Sequence, residues 1–82
     1  MNIANEDVKE LIAGIPEGHE HLRTTIVLHD GTSFTFQEAT IANLVRAYIA
    51  VKIHPRRAGV RLTGRKLDER KEGYAEWQLL EE

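Results

Sequence analysis

The chain of 82 residues contains no cysteine. This absence excludes a disulfide framework, a thiolate zinc site and a cysteine nucleophile. It is compatible with a reducing compartment, and the N-terminus has no basic region followed by an apolar run, so we expect a cytoplasmic protein without a secretion signal. No apolar run approaches the length of a membrane span, so no membrane partner is predicted.

Recognised signatures of catalysis and phosphate binding are also missing. The sequence contains neither G-x-S-x-G nor G-x-x-x-x-G-K-[ST]. A domain this small has little core in which to enclose a ligand pocket. We therefore expect no enzymatic activity, no catalytic residues, no cofactor and no small-molecule substrate.

Histidine spacing gives only a weak indication of a metal site. His19 and His21 form a His-x-His pair beside Glu17 and Glu20, and such a pair on a strand puts two imidazoles on one side. A third ligand is not evident, because His29 is too far along an extended chain to join them. We interpret these histidines as surface residues and predict no metal site.

The apolar spacing predicts three local elements in the first 53 residues. Residues 1–15 are expected to contain a helix with Asn5 as its N-cap, because one face carries an i, i+3, i+4, i+7 stripe formed by Val8, Leu11, Ile12 and Ile15. Residues 22–37 alternate with a period of two around Asp30-Gly31, which predicts a β-hairpin. Residues 38–53 predict a long helix that Pro55 prevents from continuing.

The apolar face of this long helix is unusually wide. It covers an arc of about 200°, whereas a helix lying on one sheet needs only about 100°. The excess predicts a second contact surface, supplied either by the N-terminal helix or by a partner chain. The residues of this face are Ile41, Ala42, Leu44, Val45, Tyr48, Ile49, Val51 and Ile53.

A second alternating stretch, residues 59–80, predicts another hairpin. The expected fold is a single small α+β domain over residues 1–82, with an N-terminal helix followed by a ββαββ body. Its four-stranded, mainly antiparallel sheet carries the long helix packed on one face. The predicted core comprises Leu22, Ile26, Leu28, Phe34, Phe36, Ile41, Leu44, Val45, Tyr48, Ile49, Val60, Leu62 and Trp77.

Charge is strongly segregated along the chain although the net charge is only −2. Residues 52–71 hold eight Lys/Arg against two acids and carry +6, whereas residues 1–38 carry −5 and residues 72–82 carry −4. Such a field can steer an anionic partner, or it can pair one part of a fold with another. A polyanion site would use Arg56, Arg57, Arg61 and Arg65; alternatively, Arg61 and Arg65 meet Glu76 across the hairpin.

Aromatic residues are scarce, and this bears on the choice between these functions. Single-strand binders stack bases on outward aromatic rings, yet of the five aromatic residues only Tyr74 is expected to point outward from a strand. The sequence therefore favours a non-catalytic module that acts through protein contacts, with a protein partner or a second copy. Binding of nucleic acid or another polyanion through residues 52–71 is the alternative.

Overall fold

The computed structural model describes residues 1–68 and 76–82, and the chain divides into two compact units, Met1–Ala42 and Asn43–Glu82. Helix and strand both occur, as an α+β chain requires. The elements are a 3₁₀ turn (Asn5–Asp7), β1 (Val8–Gly14), β2 (Arg23–Leu28), β3 (Ser33–Gln37), α1 (Glu38–Lys52), β4 (Leu62–Lys66) and β5 (Trp77–Glu81).

The first unit contains a three-stranded antiparallel sheet in the order β1-β2-β3. The central strand β2 has no exposed residue, and its last side chain, Leu28, is 4% exposed. On β2 and β3, the facing hydroxyls of Thr25 and Thr35 are 2.9 Å apart and share a hydrogen bond. This sheet therefore holds the best-buried apolar side chain of the described residues.

The predicted N-terminal helix is wrong. Only Asn5–Asp7 form a helical turn, and the residues that follow pair with β2 as strand β1, with a register shift between Val8 and Glu10. A helix this short is marginal in water, whereas pairing with β2 satisfies the same backbone groups in a ladder. Adjacent side chains of a strand point to opposite faces, and Leu11 and Ile12 are 60% and 54% exposed.

A tight turn joins β2 to β3 at the Asp30-Gly31 pair. Gly31 has φ +92°, and its N–H donates to the Leu28 carbonyl at 3.0 Å. The Asp30 carboxylate accepts the Thr32 N–H at 2.9 Å. This backbone bond, reinforced by the Thr32 side chain, holds the pKa of Asp30 below its usual value.

The predicted four-stranded sheet is also wrong. In the described part of the chain, β4 and β5 form a separate two-stranded antiparallel sheet, in which Leu62 lies opposite Glu81 and Lys66 opposite Trp77. Strand pairing gives the physical reason. β1 pairs with the edge of β2 that β3 leaves free, and β4 and β5, which follow each other along the chain, pair with one another.

The long helix α1 occupies Glu38–Lys52, close to the predicted 38–53, and none of its residues is buried. Among the predicted core residues only Leu28 is buried. Six are half-buried: Leu22, Ile26, Phe36, Ile41, Val60 and Leu62. The other six are exposed: Phe34, Leu44, Val45, Tyr48, Ile49 and Trp77.

Some predictions for the second hairpin lie outside the described residues. These are most of the connection 68–73, the orientations of Tyr74 and Ala75, and the positions of Arg70 and Lys71.

Candidate functional site

The main surface feature is a row of exposed apolar side chains on α1 and the residue that follows it. We call this row the apolar stripe. Its members are Leu44 at 56% exposure, Val45 at 51%, Tyr48 at 65%, Ile49 at 46% and Ile53 at 72%. At about 100° per residue they cover roughly half of the helix circumference, with Val45 near the middle. An apolar surface of this extent on a helix is typical of a contact site.

The opposite side of the helix carries small residues and is better covered. Asn43, Ala47 and Ala50 are half-buried. Arg46 lies seven positions before Ile53, near the edge of the stripe, and its guanidinium donates to the Leu79 carbonyl of β5 at 2.9 Å. This hydrogen bond joins α1 to β5 within the second unit. The sequence predicted that the wide apolar arc needs a second contact surface.

Charged residues of opposite sign lie at the two ends of α1. Glu38 begins the helix and its carboxylate lies 2.8 Å from His21 Nδ1, while Lys52 is the last helical residue and is exposed. Each charge is favourable where it stands, because the helix dipole places positive potential at the N-terminus and negative potential at the C-terminus. Both residues project on the same side as Val45, since each is seven positions away.

The structure distributes the predicted polyanion residues along the second unit. Arg57 forms an ion pair with Glu81, and Arg61 lies 3.9 Å from the Glu82 carboxylate. Arg65 stands on β4 opposite Gln78, three positions from the end where Leu62 faces Glu81. The Arg56 backbone N–H donates to His54 Nδ1 at 3.4 Å. The ends of the two strands therefore bring Arg57 and Arg61 near the same pair of acids, with Arg65 farther along.

Carboxylates near the C-terminus lie beside some of the cations of the basic segment, residues 52–71. Besides the two arginine pairs, Lys66 lies 3.2 Å from Glu76, the acid that the sequence had assigned to Arg61 and Arg65. The strand register explains the difference, because Lys66 faces Trp77 and so stands beside Glu76. Arg61 is 82% exposed, and such surface pairs stabilise little, but each places a negative charge beside a cation that a polyanion would need.

No group of three or more metal-ligating side chains is assembled within residues 1–68 and 76–82. His21 is hydrogen-bonded to Glu38, and the His29 backbone N–H donates to the Asp7 carbonyl at 3.1 Å. The first unit has an open groove of about 320 Å³ beside its N-terminal turn, lined in part by Ile3, Asp7 and Leu28. Its lining presents no nucleophile with an adjacent base.

Comparison with known proteins adds no functional assignment. No protein-family model, no curated protein and no solved structure matches this chain. Across the described residues, every helix falls short of the length and apolar character needed to cross a membrane.

Proposed function

We propose that this chain is a small non-catalytic module that acts through protein–protein contacts, and that the apolar stripe of α1 is its contact surface. The observation that carries the proposal is the exposure of apolar side chains on the helix. Leu44, Val45 and Tyr48 are all more than half exposed, while the small residues Ala47 and Ala50 are half-buried. Burial of these hydrophobic side chains against a partner is favourable in free energy, because it removes apolar surface from water.

Tyr48 is the residue from which we expect the largest contribution. It is 65% exposed, lies near the middle of the stripe, and carries a large apolar ring with a hydroxyl that can find a polar partner. Tyrosine is enriched among the few residues that dominate interface energies. The flanking aliphatic side chains would exclude water around it.

Binding of nucleic acid or another polyanion through Arg56, Arg57, Arg61 and Arg65 is less well supported. Arg57 and Arg61 each have a carboxylate nearby, and the stripe offers no cationic surface of its own. A cytoplasmic location remains part of the proposal, since a chain without cysteine is compatible with a reducing compartment.

The proposal is tested by photo-crosslinking in cells with a benzophenone amino acid at position 48. We expect a discrete covalent adduct with a protein, and a strong decrease of that adduct when Val45→Lys places a charge in the stripe. The same reagent at Ala39, which is exposed on another side of the helix, is the control. If position 48 gives no adduct, or gives the same adducts as position 39, the stripe is not a protein contact.

A further inference from the structure

We propose that Asp30 is a site of spontaneous covalent modification, at which the Asp30–Gly31 linkage isomerises to isoaspartate, and that the native turn between β2 and β3 sets the rate. The inference is independent of the proposed function and concerns residues of the first unit only. It follows from three features: the residue that comes after Asp30, the hydrogen bonds that engage both reacting groups, and the position of the turn between two paired strands.

The reaction joins the main-chain nitrogen of Gly31 to the side chain of Asp30. The nitrogen attacks Cγ of the neutral carboxylic acid, an N–Cγ bond forms, and the acid's hydroxyl leaves as water with the proton of the amide. The product is a five-membered succinimide ring. One water molecule then opens the ring at the main-chain carbonyl carbon, so that the chain continues through the side chain of Asp30. The isoaspartyl product has the same composition as the original chain.

The residue that follows the aspartate singles out Asp30. Glycine permits the ring to close most readily, because it has no Cβ to collide with the closing ring. Asp30 precedes glycine, whereas Asp7 precedes Val8 and Asp68 precedes a glutamate. A β-branched side chain such as Val8 crowds the main chain beside it. The three asparagines, which could form the same ring, precede isoleucine, glutamate and leucine.

In the folded chain both reacting groups are engaged in hydrogen bonds. The Gly31 N–H donates to the Leu28 carbonyl at 3.0 Å, and Asp30 Oδ1 accepts the Thr32 N–H at 2.9 Å. The Leu28 N–H donates to the Thr32 carbonyl at 2.8 Å and closes the turn. The Thr32 N–H, followed by the Thr32 side chain, holds the pKa of Asp30 below its usual value, so less of the neutral acid is present. Ring closure therefore requires local opening of the turn.

Isomerisation changes the main chain at the point where the two strands are joined. An isoaspartyl linkage adds a methylene group to the main chain and leaves the original α-carboxyl group as a side group. The turn leads directly into the facing pair Val27 and Ser33, and the hydroxyls of Thr25 and Thr35 share a hydrogen bond farther along. Turn type and loop length fix the register of a hairpin, so the modified chain is expected to unfold at a lower urea concentration.

Prolonged incubation of the purified full chain at neutral pH tests the proposal. An endoproteinase that cleaves before aspartate but not before isoaspartate, followed by mass spectrometry, measures the modified fraction at each position. We expect isoaspartate at Asp30 and none at Asp7, an internal control whose carboxylate also accepts a backbone N–H, that of Ala4, at 2.8 Å. The chain unfolded in urea lacks the bonds of the turn and is expected to react on the order of tenfold faster at Asp30.

Two substitutions at Thr32 test the protection by the turn. Thr32→Ala removes the side-chain hydrogen bond to Asp30 and is expected to raise the rate about threefold. Thr32→Ser keeps the hydroxyl and is the matched control, with the rate of the natural chain; circular dichroism shows that both variants are folded. Equal rates in the folded and the unfolded chain would overturn the role of the turn. An unmodified Asp30 in the folded chain, at a time when half is expected to have reacted, would overturn the assignment of the site.

Discussion

At the scale of single residues, the turn between β2 and β3 shows how local chemistry fixes a local structure. Gly31 lies at φ +92°, a region that side chains with a Cβ atom rarely adopt. Asp30 accepts the Thr32 N–H, and this hydrogen bond lowers the pKa of its carboxyl. Aspartate followed by glycine is therefore matched to the backbone that the turn requires.

Replacing Gly31 by alanine is expected to lower the free energy of unfolding by about 1–2 kcal/mol, because alanine is strained at positive φ. Gly59→Ala is the matched control, since an added Cβ there meets no atom within 4 Å and its φ is outside the positive region. Urea denaturation monitored by circular dichroism measures both variants. Equal stability of the two would show that the turn tolerates a side chain at position 31.

At the scale of elements, β1 shows the limit of a local pattern. Val8, Leu11, Ile12 and Ile15 have helical spacing, yet Val8–Gly14 form an edge strand. Apolar residues placed on both faces of a short segment fit either structure. The decision came from β2, which begins nine positions after β1 ends and offers a ladder of backbone partners.

Burial within the same sheet predicts which truncations matter. Leu28→Ala is expected to cost about 2–4 kcal/mol, because this side chain is 4% exposed and leaves a cavity. Ile12→Ala is expected to cost less than about 1 kcal/mol, because Ile12 is 54% exposed on the neighbouring strand. Thermal or chemical unfolding of the two variants checks this order. A larger loss at Ile12 would indicate that an additional surface covers β1.

At the scale of the whole molecule, charge segregation along the sequence becomes pairing within the second unit. Arg57, Arg61 and Lys66 lie near Glu81, Glu82 and Glu76, respectively. The chain's own carboxylates thus neutralise part of the positive charge that suggests a polyanion site. Exposed pairs of this kind contribute little to stability but reduce the field that a phosphate backbone would meet.

A titration of the labelled protein with a short duplex and a short single strand checks this interpretation. We expect only weak amide shifts near residues 56–66 at low salt, which fade as salt rises. Glu81→Gln with Glu82→Gln removes the paired carboxylates and is expected to strengthen any binding, while Arg61→Ala with Arg65→Ala is expected to weaken it. Strong binding by the natural chain at physiological salt would favour the polyanion function instead.

The elements that the sequence determined by itself are those written in contiguous residues. The Asp30-Gly31 turn, the helix that begins at Glu38, and the presence of strands β4 and β5 depend on spacing and turn chemistry that nearby side chains supply. The basic and acidic segments can also be identified from the sequence, because charge is additive along a chain. For the candidate site, the excess apolar arc of α1 already indicated an additional surface.

Strand pairing and the exposure of individual α1 side chains depend on tertiary contacts that the sequence does not display. The N-terminal segment became β1, and the strands separated into sheets of three and two, because pairing depends on partners remote in sequence. Periodicity places Val45 and Ala47 on different sides of a helix but does not say which side its own chain will cover. Within the second unit Arg46 is hydrogen-bonded to Leu79, and Ala47 and Ala50 are half-buried, whereas the residues of the apolar stripe are exposed, because contacts outside the helix determine which of its side chains are buried.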